Sequence, residues 1–229
     1  MTHVIVQVSD THLSPTHAYF DDNWQTFVGE MQVLRPDLVI NTGDFSFNGP
    51  DVVEDIQYAH REAERLNLPY LAIPGNHDVG EPGDNPRLKQ PINNARLNTW
   101  KGYFGDDRFI KDIEGWRLVG INSELLGSDL QAEHHQWEFL EDALANSDGR
   151  ALGVFSHKPL YQKTPDEDIS KWAILPEPRA RLLKILTKKN KVRFFASGHL
   201  HRYSYTSLDG LDLVWCPTTA FIMPIVRND

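Results

Sequence analysis

Short apolar runs alternate along the chain with segments whose apolar residues recur at helical spacing. The runs at 4–9, 38–42, 70–73, 117–122, 151–156, 192–197, 203–208 and 211–216 predict strands, since each is brief and rich in Val, Ile, Leu, Phe or Tyr. Helical spacing predicts helices over 24–34, 52–66, 93–102, 132–145 and 178–189. Within the second, Val52, Ile56, Ala59, Ala63 and Leu66 form one apolar stripe. Pro36 stops the first helix just before the second strand. This alternation is the signature of βαβ units and predicts an α/β class with largely parallel pairing. Asp209-Gly210, between the last two β-rich runs, predicts a hairpin and therefore an antiparallel closing pair. The strands are numerous enough for two sheets. Two irregular stretches are long, 79–93 and 158–176, and long loops in a compact domain commonly act as walls or lids.

Composition narrows the class. A chain of 229 residues predicts a single domain, 1–229, with a cap-like insertion around 79–110. Hydrophobic residues at 40% and charged residues at 24% exclude a disordered chain. With 23 basic and 32 acidic side chains the formal charge is −9, which argues against a nucleic-acid or anionic-membrane surface. The lone Cys216 excludes an internal disulfide framework and a thiolate-rich metal cluster. Residues 3–10 lack the features of a signal peptide, and no apolar stretch approaches 18 residues. The expectation is a cytoplasmic protein without a membrane span.

The chemistry lies at the strand ends. Predicted strands run into Asp10-Thr11-His12, Gly43-Asp44, Gly75-Asn76-His77-Asp78, His157 and Gly198-His199-Leu200-His201. Ligands in open α/β sheets sit outside the carboxyl ends of strands, so these five turns can meet on one rim. Asp10, His12, Asp44, Asn76, His157, His199 and His201 offer imidazole nitrogens and oxygens without thiolates, a donor set suited to Mn, Fe, Zn or Co. Seven ligands exceed what one ion needs and predict two divalent ions, with Asp44 bridging them through one oxygen each.

The ordered blocks D-x-H, G-D, G-N-H-D, H and G-H-x-H resemble the calcineurin-like metallophosphoesterase superfamily, and they span Asp10 to His201. That resemblance implies a four-layer α-β-β-α sandwich with two mixed β-sheets. It further implies one ion held by Asp10, His12, Asp44 and His201, and a second by Asp44, Asn76, His157 and His199. Within the superfamily, the run Phe45-Ser46-Phe47-Asn48-Gly49 lacks the substrate-gripping Arg of Ser/Thr protein phosphatases, and Asp78 stands where those enzymes carry Glu. The chain is most similar in look to small bacterial cyclic-nucleotide and glycerophosphodiester phosphodiesterases.

The implied partner is a small anionic phosphoester. Two ions bring +4, Asp10 and Asp44 bring −2 and a bridging hydroxide brings −1, leaving +1 in a chain of net charge −9. The hydroxide would attack phosphorus in line, His77 would protonate the leaving alkoxide, and Asp78 would hold the His77 imidazole in one tautomer. Alternatives in the same superfamily are a phosphomonoesterase or a nuclease; outside it, a non-catalytic metal-binding scaffold for a protein partner. A homo-oligomer stays open. His3, His17, His60, His134 and His135 read as ordinary structural or surface residues. Trp100, Tyr103 and Phe104 either line a pocket or anchor a helix, and the balance favours the anchor. The basic run Lys188, Lys189, Lys191 and Arg193 reads as a solvated helix end, and Cys216 as buried packing.

Overall fold

The strand Leu38–Asn41 (β2) is buried on both faces, and its side chains sort the layers. Leu38 and Ile40 join one cluster with Ile73, Leu118, Phe155 and Ala196, while Val39 joins another with Trp24, Met31, Ala59 and Ala63. The computed structural model describes residues 2–83, 89–168, 172–188 and 192–222; parts of both long loops, with Lys189 and Lys191, lie outside them. β2 pairs in parallel with Ile5–Val8 (β1) and Tyr70–Ala72 (β3), giving a three-stranded sheet in the order β1-β2-β3. Helices Asp21–Leu34 (α1) and Val53–Glu64 (α2) cover its outer face through Trp24, Met31, Ala59 and Ala63.

The second sheet is built from Phe109–Ile113 (β4), Trp116–Gly120 (β5), Ala151–Phe155 (β6), Val192–Ser197 (β7), Ser204–Leu208 (β8) and Leu211–Trp215 (β9), in the order β4-β5-β6-β7-β9-β8. Alternation again assigns the faces. Val119, Leu152, Val154 and Phe195 meet Trp137, Leu140, Leu182 and Leu186 of helices Gln131–Ala145 (α5) and Pro176–Leu186 (α6). Leu118, Phe155 and Ala196 face the first sheet. The layers therefore run α-β-β-α, as expected.

Four details differ from expectation. The small sheet is parallel throughout its described strands, so only the larger sheet is mixed. β4 is an additional strand, an edge element with exposed Lys111 and Asp112 that hides the alternation a buried strand shows. The first helix starts at Asp21 rather than at 24, placing Asp21 and Asp22 in its first turn, where acidic side chains suit the helix dipole. A four-residue helix, Asn76–Val79 (α3), forms inside the third motif block. The closing hairpin is antiparallel, as predicted. Trp100, Tyr103 and Phe104 anchor helix Asn94–Phe104 (α4): Trp100 is fully buried and stacked on Phe104 at 4.2 Å, and the Tyr103 hydroxyl accepts from Gln57. Buried Cys216 packs with its thiol toward the Gln7 carbonyl at 3.7 Å.

Gly153 lies in β6 beneath the Phe194 ring, where a Cβ would collide with that ring. Gly153→Ala should cost about 1–3 kcal/mol, as overpacking between tightly stacked sheets does. Gly102, in α4 with open space around its Cα, is the control: Gly102→Ala should raise stability by about 0.5–1 kcal/mol through helix propensity. Urea unfolding of both variants checks the pair; equal midpoints for Gly153→Ala and the parent chain would show that the sheets tolerate the extra methyl.

Candidate metal centre

The five motif turns leave the carboxyl ends of parallel strands β1, β2, β3, β6 and β7 and are stitched together by backbone bonds. Asp10 N donates to Gly43 O at 3.0 Å, His12 N to Asp44 O at 3.0 Å and Gly198 N to His157 O at 2.9 Å. Asp10, His12, Asp44, His199 and His201 all have φ between 48° and 67°, the left-handed region that side-chain-bearing residues avoid. Such a backbone costs about 1–3 kcal/mol per residue and persists only where its surroundings over-determine it, typically at functional sites. Gly198 makes room: a Cβ there would strike the Ser9 hydroxyl and the Asp10 carboxylate.

The predicted ligands converge. The ligand atoms of Asp10, His12 and His201 lie within 4.8 Å of one another, as do those of Asp44, His157 and His199 and those of His12, Asp44 and His77. Asn76 Oδ1 is 3.2 Å from His157 Nε2. Asp44 joins the two sides, with Oδ2 at 3.3 Å from His157 Nε2 and 3.9 Å from His12 Nε2. Its other oxygen, Oδ1, accepts the His77 amide at 2.8 Å, which corrects the expectation of one oxygen for each ion: Oδ2 alone faces both sides.

The donor atoms fit cations better than they fit one another. His12 Nε2 faces His201 Nε2 at 3.2 Å, and His157 Nε2 faces His199 Nδ1 at 3.0 Å. His199 Nε2 is buried without a hydrogen-bond partner, and the buried Asp10 Oδ1 meets only His201 Nε2, at 3.2 Å. Backbone carbonyls fix the tautomers: His157 Nδ1 donates to Thr42 O at 2.8 Å and His201 Nδ1 to Phe221 O at 2.7 Å, which leaves each Nε2 lone pair for an ion. Burial opposes charge on His157, but Asp44 and then Asp10 outweigh it and raise its pKa to about 10. His201 is also raised, its hydrogen bond with Asp10 overcoming burial. Burial, then His77, pushes His12 down to about 3, and burial, then His157, holds His199 well below the usual range. Within each facing pair the imidazole beside a carboxylate, His157 by Asp44 and His201 by Asp10, is thus the one whose charged form is favoured. Burial would raise the Asp44 carboxyl, but the neighbouring imidazoles, His157 first, hold it well below the usual range.

Asp78 does not touch the His77 imidazole. Its carboxylate accepts from Gly75 N at 2.9 Å, Phe45 N at 3.2 Å, Ser46 N at 2.8 Å and Ser46 Oγ at 2.7 Å. The His77 ring is held instead by the Phe47 carbonyl, 2.7 Å from Nδ1. Asp78 is therefore a brace for the Asp44 turn, and the expectation that it orients His77 is corrected. Sequence reading also missed Lys158, buried next to His157 with Nζ at 3.1 Å from Glu81 and 2.9 Å from Glu124. This triad ties the first long loop to the His157 turn. A further segment, 217–222, crosses the site: Thr218 Oγ1 donates to Asp10 O at 2.8 Å and Phe221 braces His201. Only an X-Pro boundary after the last strand marks it in the sequence.

Two outcomes follow. Asp78→Asn turns an amide NH₂ donor toward backbone N–H groups that now donate to the carboxylate, and should cost about 2–4 kcal/mol of stability while leaving the His77 tautomer intact. Thermal unfolding beside the His77 imidazole ¹⁵N spectrum separates the effects; a stable variant with a changed His77 tautomer would restore the orienting role. Ion binding must displace the proton that His157 carries, so loading near pH 7 should release protons, and apparent affinity for Mn²⁺ should climb with pH until His157 titrates near 10. Calorimetry in two buffers of different ionisation enthalpy measures the release; identical heats in both would refute it.

The calcineurin-like phosphoesterase family model matches residues 3–203, a span holding all five motif turns. The chain is 28% identical over 217 residues to a probable glycerophosphodiester phosphodiesterase GpdQ of Arcobacter nitrofigilis, covering 89% of this chain and 73% of that protein. It is 24% identical to a probable cyclic nucleotide phosphodiesterase of Synechococcus sp., covering 96% and 82%, and 27% identical to the serine/threonine-protein phosphatase CPPED1 of Danio rerio, covering 79% and 59%. Relatives named for diesterase and for protein phosphatase activity thus occur at similar identity. In fold, a dimetal phosphatase from Danio rerio superposes with a TM-score of 0.65 at 16% identity, over 95% of this chain and 88% of that one. Among the described residues no helix is long and apolar enough to cross a membrane. With five motif turns meeting in one buried cluster and a family match over nearly its whole length, the chain belongs to the calcineurin-like phosphoesterase family.

Proposed function

We propose that the chain is a phosphodiesterase working with two divalent ions. The observation that carries this reading is the pair of facing histidine couples, His12–His201 and His157–His199, set either side of Asp44 Oδ2, with buried Asp10 Oδ1 3.2 Å from His201 Nε2 beside them. Asp10, His12, Asp44 and His201 would hold one ion, and Asp44, Asn76, His157 and His199 the other. When bound, such ions, of Mn, Fe, Zn or Co type, supply Lewis acidity for phosphoryl oxygens and a water of lowered pKa as nucleophile.

The chain's own groups do the rest. With Nδ1 tied to the Phe47 carbonyl, His77 exchanges its proton at Nε2, and the imidazolium gives that proton to the departing alkoxide. Asp78 acts through the backbone, holding the 44–46 turn from which Phe47 follows. A diester carries one negative charge where a monoester carries two, and the cations nearest the ligands in sequence favour the lesser charge. Lys158 is buried between Glu81 and Glu124, and Arg202 lies over the Trp215 ring at 5.0 Å. Lys158, the cation adjacent to His157, is thereby committed to two carboxylates and is not spare for a second phosphate charge.

Chelator should abolish hydrolysis of bis(4-nitrophenyl) phosphate and Mn²⁺ should restore it; activity indifferent to both would end the proposal. Among ligand changes Asp44→Ala should be the most damaging, since both ions depend on it. His77→Ala should keep its metal, read by elemental analysis, yet lose roughly 10²–10⁴ in kcat, most for poor leaving groups. Equal losses for good and poor leaving groups would remove the acid role, and faster turnover of monoesters than diesters would reassign the substrate.

A further inference from the structure

We infer that the mouth of this centre carries a ring-stacking shelf for a flat aromatic group borne by the alcohol that is esterified to the substrate phosphate, an inference that rests on the phosphodiesterase reading above. His12, at 2% exposure, forms the floor, with the rings of His77, His201 and Phe221 at 4.7, 5.2 and 5.5 Å from it. An arc of aromatic side chains starts there. Phe221 lies 4.4 Å from His201, Phe20 stacks on Phe221 at 5.5 Å and 29°, and Tyr19 follows at 6.1 Å from Phe20. From Tyr19 the arc passes to Phe47 at 6.4 Å and His17 at 5.8 Å, which stack on each other at 5.0 Å and 14°. It closes at His77, whose imidazole is held by the Phe47 carbonyl. The rings therefore leave the ligand cluster on one side of His12 and return to it on the other.

Tyr19 is 71% exposed and Phe221 41% exposed, although the segments that carry them are anchored. Ser14 Oγ accepts from the amides of Thr16 and His17, and Asn23 Nδ2 donates to the carbonyls of Thr219 and Ala220. A built, open, aromatic surface is unfavourable unless something covers it in use. Continuity with the floor identifies the cover. A phosphate over His12 spends its charge there, so what reaches the arc is the organic group of the same ester. Rings already stacked near-parallel extend naturally to one more flat ring, such as a nucleobase, while a glycerol arm would find few polar partners among Phe20, Phe47 and Phe221.

The test uses the metal-loaded full chain and two substrates differing only in the base, adenosine and methyl riboside 3′,5′-cyclic phosphates. Tyr19→Ala should lower kcat/KM for the adenosine compound roughly 10-fold, mainly through KM, and leave the methyl riboside within about two-fold. Tyr19→Phe should restore the difference, since the ring and not the hydroxyl does the holding. Calorimetric binding of adenosine 5′-monophosphate against ribose 5-phosphate gives the same comparison without turnover. Equal losses on both cyclic esters would overturn the shelf, as would a larger loss on glycerophosphocholine, which would assign the rings to a cation. If no diester is hydrolysed, the phosphodiesterase reading fails, and the binding pair alone decides the shelf: preference for the adenosine compound that vanishes in Tyr19→Ala keeps it, and equal affinities remove it.

Discussion

Asp44 is a carboxylate at 2% exposure, and much of the molecule is arranged around the need to compensate that charge. Burying an unpaired carboxylate costs several kcal/mol even after relaxation, so the groups that meet it are not interchangeable decoration. Its Oδ1 takes the His77 amide, which fixes where α3 begins, and its Oδ2 faces His157 on one side and His12 on the other. The histidines come from the turns after β6 and after β1, strands of different sheets. The carboxylate can therefore be satisfied only when the two sheets pack in one relative position. Leu38, Ile40, Ile73, Leu118, Phe155 and Ala196, the apolar layer between the sheets, acquire a second duty as the spacer that sets the candidate metal centre.

That dependence explains how the strain is borne. Five candidate ligand residues hold left-handed backbone angles, and at about 1–3 kcal/mol each the total would rival the net stability of an ordinary domain. No single contact offsets this. Strand pairing delivers each turn to its place, the Asp10–Gly43 and His12–Asp44 backbone bonds extend the β1–β2 ladder into the turns, and the Asp78 carboxylate gathers four donors beneath the Asp44 turn. Burial pushes the pKa of Asp78 up to about 6, with Asp44 adding to the shift, so this brace is itself under electrostatic load.

The chain announces its layers and its ligand types but not its second neighbours. Alternation in β2, β6 and β7 and the stripe on α2 were readable because burial on defined faces imposes a period. β4 was not, since an edge strand carrying Lys111 and Asp112 outward has no buried face to advertise. The seven predicted ligands stood out because each follows a strand, yet their hydrogen bonds depended on geometry finer than spacing. His77 and Asp78 are adjacent in sequence, and adjacency suggested a pair. Inside α3 consecutive side chains point about 100° apart, so one faces the cluster and the other the 44–46 turn. Lys158 was invisible for a different reason: its partners Glu81 and Glu124 lie far off in sequence, and a lysine in a loop ordinarily reads as solvated.

Floor and rim are consequently under different constraints. Every ligand on the floor is tied to the ends of parallel strands and to its neighbours' backbones, so moving one disturbs the rest. The rim is drawn from segments outside the ladder: 14–20, Phe47, Trp172 beside His199 at 5.8 Å, and 217–222. None of these has to change for the sheets to pack, and the rim reaches the floor mainly through backbone: the carbonyls that Phe47 and Phe221 lend to His77 and His201, beside the Thr218 hydroxyl on Asp10 O. Those carbonyls belong to the backbone, which leaves both aromatic side chains free to vary without moving an imidazole. Relatives named for different phosphoesters at nearly equal identity are what such a separation allows: a floor that would treat phosphate esters alike, and a rim on which selectivity can be rebuilt residue by residue.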